Sequence, residues 1–76
     1  MQIIDAYLEH LRRLARSPDT IKLRRTVLRR LDADLPYGIV DTTTEEIAQW
    51  LFRDDLGTNS IATYSAAIRD FYAWAA

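Results

Sequence analysis

Residues 17–35 read SPDTIKLRRTVLRRLDADL, and this stretch predicts the helix around which the other elements are arranged. The Ser17 side chain can accept a hydrogen bond from a free N–H group of the first turn, and the fixed φ angle of Pro18 suits the first helical position. Asp19 places a negative charge at the positive end of the helix dipole. We therefore expect a helix over residues 18–34, with Pro36 as its limit.

This predicted helix has an apolar face and a cationic face. Its apolar positions recur at three-, four- and seven-residue spacings and are Ile21, Leu28, Leu31 and Leu35. The polar side carries Lys22, Thr26, Arg29 and Arg30, with Arg25 on its flank. Arg24 lies nearer the core, where we expect it to pair with an acid. A cationic helix face on a small domain suggests a polyanionic partner, and nucleic acid is the first candidate.

Three further segments have the periodicity of amphipathic helices, at about residues 2–16, 44–53 and 60–75. The apolar stripe of the first consists of Ile4, Tyr7, Leu8, Leu11, Leu14 and Ala15. Arg12, Arg13 and Arg16 lie in its last turns, where cations suit the helix dipole. Ser17 and Pro18 end it, because the residue before a proline avoids helical backbone angles.

The last two helices have recognisable start signals. Thr43 and Glu46 form a capping box at the start of the third helix, whose apolar contacts are Ile47, Trp50 and Leu51. Gly57 fits the stop of that helix, and residues 58–60 supply cap candidates for the fourth. The apolar stripe of the fourth consists of Ile61, Tyr64, Ile68, Phe71, Tyr72 and Ala75.

Together these patterns predict an all-α, four-helix bundle that forms one domain over residues 1–76. Chain length leaves room for one small core. In the connection before the third helix, we expect Ile39 and Val40 to pack into that core. Because the chain ends at Ala76, directly after an apolar helix, we also expect a further domain to follow it.

The composition argues against several kinds of site. The chain has no cysteine, so it can form neither a disulfide nor a thiolate metal site, and a single histidine, His10, argues against a histidine metal site. We expect no cofactor and no metal. No apolar run approaches the roughly 20 residues of a membrane span, and the N-terminus lacks the pattern of a signal peptide. We therefore expect a cytoplasmic protein with no membrane partner.

The charges are unevenly distributed along the chain, although the net charge is only −1. Residues 10–31 contain eight lysines and arginines and one acid. Residues 32–56 contain seven acids and one arginine. A domain polarised in this way can present one basic surface while remaining near neutral overall.

Four short motifs occur in order along the chain: YL at 7–8, SPDTI at 17–21, TTEEI at 43–47 and AAIRDFYAW at 66–74. Together they resemble the N-terminal core-binding domain of tyrosine recombinases of the phage-integrase type. Each motif alone is ordinary helix-capping and core sequence, whereas their order and spacing span essentially the whole chain. Two positions depart from the family pattern: Arg24 stands where many relatives have tyrosine, and Ser65 where leucine is common.

The resemblance implies a compact, SAM-like four-helix bundle that grips one face of double-stranded recombination-site DNA, with helices two and four toward the major groove. It also implies a separate C-terminal catalytic domain, which this chain lacks, so the chain is not expected to be an enzyme on its own. Such a protein would be encoded by a bacterium or a phage. Any oligomer is expected to form only on DNA.

Nine residues are predicted to contact DNA: Thr20, Lys22, Arg25, Thr26, Arg29, Asn59, Ser60, Thr63 and Arg69. Those from Lys22 to Arg29 follow the spacing i, i+3, i+4, i+7, which suits contacts with phosphates and base edges. A solvated helix face is the alternative explanation of this strip. The polar residues near the two helix starts could instead be caps, and Arg69 could pair with Asp70 or with acids of the third helix.

Three other functions are alternatives to DNA binding. A helical protein–protein interaction module would also use polarised faces, and it stays open as an alternative. The segment DDLGTNS at 54–60 slightly resembles the carrier site of acyl carrier proteins, but Asn59 replaces the aspartate, and too few residues follow Ser60. A catalytic role has no supporting residues, because the four tyrosines do not match the nucleophile motif of the recombinases.

Overall fold

The computed structural model describes residues 2–52 and 57–76, and in these stretches the chain forms four α-helices and no strand. Their bounds are Ile3–Arg13 (α1), Pro18–Asp34 (α2), Thr44–Leu51 (α3) and Thr58–Ala75 (α4). The predicted all-α, four-helix architecture is confirmed. α2 packs against both α1 and α4, so one side of this helix is buried and the other faces solvent.

The start of α2 and the start of α3 are capped as predicted. Ser17 Oγ accepts a hydrogen bond from the Thr20 N–H group at 3.2 Å. Thr43 Oγ1 accepts from the Glu46 N–H group at 3.1 Å, and the Glu46 carboxylate accepts from the Thr43 N–H group at 3.2 Å. Each cap satisfies N–H groups that have no partner within the helix, so these two starts are fixed by local sequence.

α1 ends earlier than the sequence predicts. The N–H group of Ala15 donates to the carbonyl of Arg12 at 3.0 Å, and that of Arg16 donates to the carbonyl of Leu11 at 3.1 Å. This is the Schellman arrangement, and it puts Ala15 in the left-handed region at φ 58°. The predicted core roles of Leu14 and Ala15 are therefore wrong: Leu14 is 53 % exposed, because the chain has already reversed toward α2.

The boundary between α3 and α4 also differs from the prediction. α3 ends at Leu51, and Arg53, predicted as its last residue, lies outside the described residues. Gly57 serves as the N-cap of α4 rather than as the stop of α3. Asn59 and Ser60 consequently lie within the first turn of α4 and are not its caps.

The buried core draws on all four helices and on the α2–α3 connection. Its largest fully buried side chains are Tyr7, Phe71, Leu28, Leu31, Ile39 and Val27. Tyr7 meets Phe71 edge-to-face, with ring centroids 5.3 Å apart, an arrangement that aromatic pairs favour. Val27 and Ala67 were not predicted as core residues, and the predicted Ala75 is exposed instead.

The α2–α3 connection is held by hydrogen bonds to its backbone. Asp32 Oδ1 accepts from the Ile39 N–H group at 2.7 Å, and the Tyr72 hydroxyl donates to the Ile39 carbonyl. Gly38 has φ 77°, and a Cβ atom there would meet Asp32 Oδ1 at 3.0 Å, so this turn requires glycine. Only one of the two predicted core residues here is buried: Ile39 is 2 % exposed, whereas Val40 is 66 % exposed.

Candidate nucleic-acid interface

The solvent side of α2 carries the cationic strip predicted from the sequence. Lys22, Arg25, Thr26 and Arg29 are all exposed, on the side of the helix opposite its buried residues. Within the part of the chain that the structure describes, no carboxylate forms an ion pair with Lys22, Arg25 or Arg30. The charges of Lys22 and Arg25 on the strip therefore remain available to a polyanion, whereas Arg30 lies about 80° around the helix from Lys22.

Arg29 differs from its neighbours because it has an internal partner. Its Nη2 atom lies 3.3 Å from Asp5 Oδ1 on α1, and the two side chains are 58 % and 44 % exposed. An exposed pair of this kind contributes only about 0–1 kcal/mol, since water screens both charges. Arg29 can therefore exchange this carboxylate for a phosphate at little cost.

The threonines predicted as contacts have different hydrogen-bonding capacities. Thr26 Oγ1 donates to the Lys22 carbonyl, and Thr63 Oγ1 donates to the Asn59 carbonyl, both at 3.0 Å. Their hydroxyls retain acceptor lone pairs, which suit base amino groups rather than phosphates. Thr20 is half-buried, and its hydroxyl accepts from Ser17 Oγ at 2.9 Å, so its own proton remains free to donate.

The predicted α4 residues are not all on one flank. Asp70 of α4 contacts Arg24 of α2, so the flank of α4 that carries Asp70 faces α2. Thr63 lies two turns before Asp70 on that same flank, and both it and Asn59 are exposed. Ser60 is half-buried. Arg69 lies about 100° around the helix from Asp70, away from the flank facing α2. Its Nε atom nevertheless lies 3.6 Å from Asp70 Oδ1, so the alternative pairing of Arg69 with Asp70 is confirmed.

Arg24 is used inside the bundle, as its position near the core predicted. Its Nη1 atom donates to the Tyr7 hydroxyl and to Asp70 Oδ2, both at 2.9 Å. Burial alone would lower the pKa of Arg24, but these two partners raise it overall. The hydrogen bond from Arg24 lowers the pKa of Asp70, which keeps the carboxylate charged. Arg24 therefore joins the helices rather than contributing to the exposed strip.

Arg12 and Arg16 adjoin the α2 strip but were assigned only a helix-dipole role from the sequence. With Lys22 and Arg25 they line a cleft of about 470 Å³ between the end of α1 and the start of α2. The sequence signal for a role in the cationic surface was the run of arginines at 12, 13 and 16, which precedes the SPDTI motif. Its proximity to Lys22 depends on the turn at Ala15, which the apolar periodicity did not reveal.

Trp74 packs within the bundle rather than offering a stacking surface. Its ring centroid lies 5.3 Å from that of Tyr7 and 5.9 Å from that of His10, both on α1. The aromatic residues at this end of the bundle therefore hold α4 against α1. Single-stranded nucleic acid would need exposed aromatic side chains interleaved with cations.

Two further findings concern the described residues alone. They contain no group of three or more His, Cys, Asp or Glu side chains placed to hold a metal ion. None of the four helices combines the length and the apolar character needed to cross a membrane, as judged over those same residues.

A family model described as the N-terminal SAM-like domain of phage integrases matches residues 4–76. The chain belongs to this family. The SAM-like fold agrees with the four helices described above, and this domain is a non-catalytic part of integrases. Membership implies a DNA partner and a catalytic domain in a full-length integrase. No significant match was found among curated proteins or among solved structures.

Proposed function

We propose that this integrase N-terminal domain binds double-stranded recombination-site DNA through α2 and α4, and so holds the site for strand exchange by a catalytic domain. The observation that carries the proposal is the exposed α2 strip, in which Lys22 and Arg25 have no carboxylate partner among the described residues. Cations left free on a helix face favour binding to closely spaced phosphates.

Within this proposal the nine residues have different roles. Lys22, Arg25 and Arg29 bind backbone phosphates and set the orientation of the domain on the duplex. Asn59 lies exposed on the flank of α4 that faces α2, where an amide side chain could bind the edge of an adenine. The remaining proposed contacts are Thr20, Thr26, Ser60, Thr63 and Arg69. Thr26 and Thr63 would accept from base amino groups, and Arg69 would bind a phosphate at the periphery.

Charge reversal on α2 tests the proposal. The variant Lys22→Glu/Arg25→Glu should weaken duplex binding by at least about tenfold at low salt, because two phosphate contacts become repulsive. Its thermal unfolding temperature should stay within a few degrees of the unchanged chain, since both side chains are exposed. Binding is measured by fluorescence anisotropy with a labelled duplex at two salt concentrations.

A matched control compares Lys22→Glu alone with Arg13→Glu, which reverses the charge of an 80 % exposed arginine on α1, outside the α2 strip. The Arg13→Glu variant should bind the duplex nearly as well as the unchanged chain. Equal affinity of the unchanged chain at both salt concentrations would argue against phosphate contacts. A large loss of unfolding temperature in the double variant would instead make Lys22 and Arg25 structural.

A helical protein-interaction module is the second candidate. The observation that favours it is the exposure of two apolar side chains in the α2–α3 connection, Tyr37 at 76 % and Val40 at 66 %. Such a module would self-associate or ignore duplex DNA at physiological salt. Sedimentation velocity over a hundredfold range of protein concentration, with and without duplex, separates the two functions.

A further inference from the structure

A cationic cleft lies at the seam between α1 and α2. It has a volume of about 470 Å³ and is lined by Arg12, Arg16, Pro18, Ile21, Lys22 and Arg25. Four of these six residues are cations, and no carboxylate lines the cleft. The cleft therefore has four cations, whereas the α2 strip has three, Lys22, Arg25 and Arg29.

The two sides of the cleft come from different segments of the chain. Lys22 and Arg25 project from one face of α2, one turn apart. Arg16 lies in the turn after α1, where its N–H group donates to the Leu11 carbonyl at 3.1 Å. The left-handed backbone of Ala15, at φ 58°, produces this turn. The chain reversal therefore brings the cation of the turn into the same cleft as those of α2.

The charges in the cleft are largely free. Arg12 Nη1 lies 3.2 Å from Glu9 Oε2. Both side chains are exposed, so this ion pair contributes little to stability. Arg16, Lys22 and Arg25 make no ion pair with any carboxylate in residues 2–52 and 57–76. Three neighbouring cations without counter-charges repel one another, and an anion between them removes that repulsion.

We propose that this cleft binds a backbone phosphodiester of duplex DNA, with Arg16 and Lys22 closing on it from opposite sides. Pro18 and Ile21 supply apolar lining suited to the carbons of the adjoining deoxyribose. The proposal rests on DNA binding as the function of the domain and extends the interface from α2 to the end of α1. It gives Arg16, in the turn after α1, a role that the sequence did not suggest.

The variant Arg16→Gln/Lys22→Gln tests the cleft by removing one cation from each side. Duplex affinity at low salt should fall about tenfold, and the slope of log K against log salt should become shallower by about 1, because a phosphate contact is lost. The matched control is Arg13→Gln/Arg30→Gln, which removes the same charge from the same two segments outside the cleft. The control should bind within about threefold of the unchanged chain and keep its slope.

The outcomes separate this proposal from the function on which it rests. If both double variants lose affinity equally, the summed electrostatic field of the domain explains binding. The cleft proposal is then overturned, while DNA binding stands. If the unchanged chain fails to bind a duplex at low salt, DNA binding itself fails. Should the cleft variant unfold more easily than the control, Arg16→Gln alone provides the comparison with Arg13→Gln, because Lys22 also belongs to the α2 strip.

Inorganic phosphate is the second arm of the test, because it presents anionic phosphate oxygens without the sugar and the duplex. NMR spectra should show the Arg16 and Lys22 amide signals shifting with micromolar duplex and remaining unchanged with inorganic phosphate at the same concentration. Equal shifts with both ligands would make the cleft a site for free anions and would overturn the proposal.

Discussion

Arg24 differs from the other cations of α2 because folding uses its charge. It bonds to Tyr7 on α1 and to Asp70 on α4, so a single guanidinium group links three helices. Its side chain is 21 % exposed, which strengthens its charge interactions relative to those of the exposed strip. Two consecutive arginines of one helix thus have different roles: Arg24 holds the bundle, and Arg25 remains free.

The Arg24–Asp70 pair makes stability depend on pH. The folded state lowers the pKa of Asp70, mainly through the hydrogen bond from Arg24. The pair therefore stabilises the fold above the usual aspartate pKa of about 4, and this contribution is lost as the pH falls through the lowered value. Asp70→Asn should reduce the free energy of unfolding by about 1 kcal/mol at pH 7.

Urea unfolding of both proteins at several pH values measures this effect. The difference between them should shrink as the pH falls below about 4, because the carboxylate of the unchanged chain then becomes protonated. Asp5→Asn is the matched control, since Asp5 pairs with the exposed Arg29. A difference for Asp70→Asn that stays constant down to pH 2 would contradict the role assigned to this pair.

Ala15 holds a backbone conformation that glycine adopts more readily. At φ 58° its Cβ approaches the following carbonyl oxygen, which costs alanine about 1–2 kcal/mol. Ala15→Gly removes this cost but increases the entropy of the unfolded chain, worth about 0.5–1 kcal/mol. We expect a net gain of about 0.5–1 kcal/mol, measured by thermal unfolding as a rise of several degrees. A lower unfolding temperature would show that Ala15 carries no backbone strain.

Among the helices, the sequence predicted the starts of α2 and α3 better than the end of α1. The caps at Ser17 and Thr43 use hydrogen bonds spanning three residues, so the local sequence determines them. The end of α1 depends on how the chain must reverse to let α2 pack on it. Apolar spacing alone therefore extended the predicted helix to residue 16 and its apolar stripe to Leu14 and Ala15, which the reversal leaves exposed.

The predicted faces of the helices were correct at their centres and less accurate at their flanks. Leu28 and Leu31 are fully buried as expected, whereas Val27 was missed because α2 contacts α1 on one side and α4 on the other. A helix between two neighbours buries a wider arc than a single stripe. The packing of α1 on α2 also brings Arg12 and Arg16 beside Lys22 and Arg25. This proximity was not predicted, because it depends on tertiary structure.

For the molecule as a whole, the polarised charge gives the domain a preferred orientation toward a polyanion. The basic residues 10–31 form the end of α1 and most of α2, while residues 32–56 carry most of the acids. Glu45 in the first turn of α3 is exposed, so it would be repelled by a duplex placed against that side. A domain of net charge −1 can therefore approach DNA with the cationic side of α2 facing the duplex.

The central claim is that the cationic side of α2 is the surface that meets duplex DNA. Titrating the isotopically labelled chain with a short duplex, and following its backbone amide signals by NMR, tests this claim most directly. We predict that the largest shifts fall on residues 16–30 and that they fade as salt is raised, because phosphate contacts release bound counterions. Shifts confined to the α2–α3 connection, or no shifts at low salt, would contradict the claim.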